Sequence, residues 1–297
     1  MHRALAVAFV LAIAHLPAFA QAARAPFEIL VPGKGWELVG DGYQLTADST
    51  VDRLGNIYFT DAQHDRIFKV DLQGKITTFK EGSHHSHGIA FGPDGRLYAG
   101  QHDLKRIVAF SMDGTETAIA EEIQTHHLTV TARNDIYCTQ APDHKVWLLD
   151  TKGGKRVVDT SIPWPRGVRA TTDQSRLLVN DGQGTWVWSF QIQPDGSLTE
   201  GKPAYQLAKP AGSADADASG MTFDSEGFLY VATRSGVQIF DRQARPVAAI
   251  AGPSSESLTT LLFAGTGLKW LYAAEWNKLY RRPVMRSGAA AFDRGPQ

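Results

Sequence analysis

The chain has ten histidines, and eight of them fall between residues 64 and 144: His64, His84, His85, His87, His102, His126, His127 and His144. Imidazoles gathered in one place can do two kinds of chemistry. They can ligate a borderline-soft cation, or they can move protons near neutral pH. His87, His126 and His102 are expected as metal ligands. Arg166 is expected to pair with a carboxylate or a developing oxyanion, and Asp217 and Glu275 are candidate bases. His64, His127, Trp164, Ser219 and Trp276 are expected around the substrate. All of this requires residues more than 200 positions apart to meet.

A repeat provides the meeting point. Ile57-Tyr58-Phe59-Thr60-Asp61 returns as Leu97 to Gln101, Ile136 to Gln140, Leu177 to Asp181, Leu229 to Thr233 and Leu271 to Glu275. Each copy follows a turn centred near 55, 95, 134, 174, 227 or 267, about 40 residues apart except for one longer step. Short alternating strands at this period predict an all-β, six-bladed propeller of four-stranded antiparallel blades. The ring is expected to close with an N-terminal strand at Phe27 to Val31. The long step contains Pro194-Asp195-Gly196 and Lys209 to Ser213, a surface connection or a lid.

In a propeller the innermost strand of each blade starts at one mouth of the central channel, and the second strand returns there. Counting back eight from each turn puts Ala47, His87, His126, Arg166, Ser219 and Thr259 at strand starts. Asp61, Gln101, Gln140, Asp181, Thr233 and Glu275 end the second strands, and all eight histidines fall on this face. Strand alternation points His126 and His127 to opposite sides, so both should not face the axis. Arg166 has a structural alternative, a pairing with Asp181 or Asp217. Asp61 and Asp181, at strand ends, are suited to holding backbone donors.

The remaining composition bounds the setting. With 297 residues and 43% hydrophobic content, the chain is ordinary globular material. Arg3, the apolar run Ala4 to Ala14 and Ala18-Phe19-Ala20 have the form of a secretory signal peptide over residues 1–20, giving a secreted or periplasmic protein that begins near Gln21. No later run is long enough for a membrane anchor. Without Arg3 there are 29 basic and 31 acidic residues, which argues against a nucleic-acid partner. Cys138 is the only cysteine and is expected as a buried thiol. Residues 27–285 form one domain, and 286–297 a loose tail.

The run Gly42 to Asp52 with Gly55 to Asp61, together with Gly88 to Leu97, Gln101-His102 and Ser219 to Asp224, resembles the senescence marker protein, gluconolactonase and luciferin-regenerating enzyme family. That resemblance implies a six-bladed propeller with one divalent metal on its axis, hydrolysing sugar or related lactones. The family's ligands are replaced here. Ala47 stands for its Glu, His126-His127 for its Asn-Asp, Arg166 for its second Asn and Ser219 for its Asp. An imidazole site suits Zn²⁺ or Mn²⁺ better than Ca²⁺. Three functions stay open: a metal-dependent hydrolase of a lactone or sugar-acid derivative, a His/Arg lyase or epimerase of acidic sugars, and a non-catalytic binder of a small polar molecule.

Overall fold

The structure is a computed structural model that describes residues 29–290. Its strands form six four-stranded antiparallel sheets arranged as the blades of a propeller. The innermost strands, from blade one to blade six, are Thr46–Val51, Ser86–Phe91, Leu128–Val130, Pro165–Ala170, Met221–Phe223 and Thr260–Ala264. Each pairs with a copy of the repeat, so the sequence motif is the second strand throughout.

Why these residues make blades follows from their alternation. Tyr58, Tyr98, Tyr137 and Tyr230 occupy the same place in blades one, two, three and five, and all are buried between neighbouring sheets. Outer strands such as Ile76–Glu81 hold only exposed and half-buried residues, as befits a sheet edge in water. Aspartates set the hairpins. Asp52 Oδ1 accepts from the amides of Leu54 and Asn56, and Asp224 Oδ1 from those of Glu226 and Phe228.

Three expectations need correcting. The strand that closes the ring among the described residues is Glu37–Asp41, paired with Lys278–Pro283; of the expected Phe27 to Val31, residues 27 and 28 lie outside the described residues. Of that earlier stretch, Leu30 makes only a single bridge to Val284, because Pro32-Gly33 breaks the extended run. The long step in blade four is only partly a connection: longer strands, Trp186–Ile192 and Leu198–Gln206 joined at Pro194 to Gly196, share it with the strand-free stretch 207–220 that contains Lys209 to Ser213. The start of the tail is pinned rather than loose. Arg286 pairs with Asp224 at 3.1 Å, and the Ala289 amide donates to the Phe223 carbonyl at 3.0 Å. Residues 1–20 lie outside the described residues, and among those described no helix is long and apolar enough to cross a membrane.

Candidate functional site

The channel mouth at the starts of the inner strands gathers three imidazoles. His87 sits in the innermost strand of blade two, His102 follows that blade's second strand, and His126 precedes the innermost strand of blade three. The His87 and His102 rings stack, with centroids 4.5 Å apart and planes 16° from parallel. His126 stands edge-on to both, at 6.0 and 6.3 Å. Burial, then repulsion among the imidazoles, pushes His87 down to about 3. Burial with the charges of His127 and Arg166 pushes His126 down to about 4. Burial also lowers His102, whose Nδ1 accepts from the Gln124 side-chain amide at 3.2 Å. All three rings are neutral at pH 7. The Nδ1 of His126 is buried with no hydrogen-bond partner among the described residues.

His127 takes a separate route. Its Nε2 lies 3.3 Å from Ser219 Oγ of blade five, and its Nδ1 lies 3.3 Å from Asp48 Oδ2 of blade one. The ring therefore bridges three alternate blades across the channel. Regular pairing in blade three begins at Leu128, so the alternation rule does not govern His126 and His127, and both approach the channel at different depths. Bare glycines on neighbouring inner strands make room. A Cβ on Gly88 would stand 2.8 Å from His127 Cα, and one on Gly167 would stand 2.0 Å from the Ser219 carbonyl oxygen. The Ser219 hydroxyl donates to the Thr259 carbonyl at 2.6 Å, so it can only accept from His127.

Arg166 donates to Asp217 Oδ1 at 2.7 Å, and Arg234 lies 3.4 Å from Asp217 Oδ2. The two are together, and both are partly exposed at the mouth. Glu275 is 2% exposed, and its Oε1 accepts from the amide and the hydroxyl of Ser254. His64 is held by Asp61 at 2.7 Å, and Asp61 also accepts from the amides of Gln44 and Leu45. Trp276 is 53% exposed, while Trp164 is half-buried against the Arg166 side of the mouth. Asp48 is a site residue that the sequence reading misses. A carboxylate inside an otherwise small and apolar inner strand is the signal that could have found it. Cys138 is fully buried, which pushes its thiol up to about 12, so it is a packing residue.

The imidazoles can be tested against a shared metal. A bound ion lies in the plane of each ring, about 2.0–2.1 Å from the nitrogen for Zn²⁺. Planes stacked nearly parallel, as those of His87 and His102 are, do not meet at such a point. Among the described residues no group of three or more His, Cys, Asp or Glu side chains has an arrangement able to hold a metal ion. The three rings do not fit one metal as they stand.

Residues 139–275 match the family model described as SMP-30/Gluconolactonase/LRE-like region. No curated protein matches the sequence. Among solved structures, a gluconolactonase from Xanthomonas campestris is 17% identical, with a TM-score of 0.77 and coverage of 88% of this chain and 93% of that one. A luciferin-regenerating enzyme is 17% identical at a TM-score of 0.73, covering 86% and 99%. A virginiamycin B lyase from Staphylococcus aureus, solved as a catalytically inactive variant with quinupristin, is 16% identical at 0.60, covering 84% and 82%. At these identities the likeness is one of fold. Members of the matched family generally bind a divalent metal, a property that the ring geometry above does not reproduce. The chain is thus a six-bladed propeller that carries an SMP-30/gluconolactonase/LRE-like region.

Proposed function

We propose that this protein is an exported hydrolase of the gluconolactonase kind, acting on a lactone or sugar-acid derivative at the imidazole-lined mouth of the channel. The observation that carries this is the cluster of His87, His102 and His126 beside the Arg166–Asp217 pair. Neutral imidazoles suit an oxygen-rich ligand, since each carries one acceptor and one donor; His102 spends its acceptor on Gln124 and keeps its donor. The unpartnered Nδ1 of His126 is a buried polar group that a ligand would satisfy. Arg166 spends one nitrogen on Asp217 and keeps further donors for a carboxylate or a carbonyl oxygen that gains charge. With its conjugate acid near 4, His126 is always free to accept a hydrogen bond at neutral pH. It is a weak proton acceptor, so positioning and polarisation are its larger contributions.

A second reading, a lyase of acidic sugars, draws on the likeness to the lyase propeller solved with quinupristin. Product mass separates the two, because hydrolysis adds one water and elimination leaves the mass unchanged while creating a double bond. The test is turnover of a panel of sugar lactones and uronic-acid derivatives by wild type, His126→Ala and Arg166→Ala, with product masses measured. Hydrolysis that both variants lose supports the proposal. Hydrolysis unchanged in both places the chemistry elsewhere, and an unsaturated product favours the lyase.

A further inference from the structure

The other half of the channel, below His127, contains a second constellation. Thr50, Thr129, Arg169 and Thr222 belong to the inner strands of blades one, three, four and five. They take equivalent places there, opposite Tyr58, Tyr137, Leu178 and Tyr230 in the strand pairings. All four line one cavity of about 70 Å³. The three threonines are 8%, 4% and 5% exposed, and none of their hydroxyls makes a hydrogen bond among the described residues. The Arg169 guanidinium likewise has no hydrogen bond or ion pair there, although burial disfavours its charge.

We propose that this cavity is a binding site for one small oxyanion, held by the Arg169 guanidinium and the hydroxyls of Thr50, Thr129 and Thr222. The Arg169 guanidinium is half-buried and feels the Asp48 carboxylate without forming an ion pair with it, and a guanidinium with free donors matches the planar pairs of oxygens on phosphate, sulfate or carboxylate. The volume admits an ion of a few heavy atoms. Asp48, at the inner end, does not fill the role. Its Oδ1 accepts from the Ser49 amide at 2.8 Å and the Thr260 hydroxyl at 3.2 Å. Its Oδ2 accepts from the Ile89 amide at 3.1 Å and faces His127. Towards the far mouth the next residues of the inner strands, among them Val51, Phe91, Val130 and Phe223, are apolar, and Thr171, Thr172 and Gln174 add polar groups at the rim. The site shares no residue with the imidazole cluster and stands whether or not the proposed hydrolysis does.

The experiment is thermal unfolding and calorimetric titration of the full chain with phosphate, sulfate and acetate at constant ionic strength. Wild type should show a saturable rise in its midpoint with phosphate or sulfate, and Arg169→Gln should show none. Saturable binding of acetate alone would assign the site to a carboxylate rather than an inorganic ion and would still support an oxyanion site. No saturable binding in wild type, or equal binding in Arg169→Gln, would overturn the proposal. If Arg169→Gln does not fold, the Thr129→Val/Thr222→Val variant decides. Affinity weakened about tenfold, the worth of one or two hydrogen bonds, supports the site, and unchanged affinity overturns it.

Discussion

His127 of the third blade reaches across the channel to Ser219 of the fifth, Nε2 to Oγ at 3.3 Å, while its other nitrogen faces Asp48 of the first. A side chain thus spans the channel between alternate blades, and it does so from positions that the family resemblance assigns to metal ligands. The prediction is that His127→Ala costs about 2–4 kcal/mol, from the cavity left in the channel and the loss of one partner each for Asp48 and Ser219. Urea unfolding would show a lower midpoint at an unchanged slope. A midpoint equal to wild type would mean the bridge contributes nothing.

Acid should destabilise the metal-free protein through the imidazole cluster. His87 and His126 are held at about 3 and about 4 against an ordinary 6.5, so between those values the unfolded chain binds more protons than the native one. Stability from this source is complete above about 6.5 and is lost as pH falls toward 4 and then 3. Each group contributes about 1.4 kcal/mol per pH unit within its window. In chelator-treated protein the wild-type melting temperature should fall through this range, and His87→Gln/His126→Gln should flatten the slope. Equal slopes would place the acid sensitivity elsewhere.

Arg166 and Asp217 should separate in their effects on turnover. Arg166→Ala is expected to lower kcat/KM by about 10², the scale for removing one charge-stabilising donor. Asp217→Asn leaves the guanidinium in place and should cost much less. Losses of equal size would show that the pair acts as a unit, with Asp217 holding Arg166 in position.

Metal content provides a further test. Because the stacked planes of His87 and His102 do not converge, elemental analysis of purified protein should find no stoichiometric divalent metal, and chelator should leave hydrolysis unchanged. Stoichiometric zinc or manganese that is lost in His87→Ala/His126→Ala would show that His102 swings out of its stack to complete a site.

Export is checked at the N-terminus. Mass spectrometry of protein secreted by, or extracted from the periplasm of, an expressing bacterium should find a chain starting at Gln21. A chain retaining Arg3 would refute the signal-peptide reading.

The architecture is legible in the chain alone. Six copies of one strand motif at a near-constant spacing, each after a turn, require six equivalent blades, because no unit can bury its own apolar face alone. The same repeat places the histidines at one mouth, since strand order in a propeller is fixed by chain direction. The pairing that closes the ring is less legible, since Phe27 to Val31 reads as the edge and only contact with Lys278–Pro283 selects Glu37–Asp41. Side-chain direction depends on the assembled ring. His126 and His127 precede the regular pairing of their strand, so no alternation rule sends one to the imidazole cluster and the other to Ser219. Glu275 reads like a base in sequence and is satisfied by Ser254, a partner that only the packing of the blade-six loop supplies. Arg169 looks like any strand arginine until the ring closes and sets it in one cavity with Thr50, Thr129 and Thr222. Period and polarity are local properties of the chain, whereas the partner of a buried polar group is set by which distant strand comes to face it.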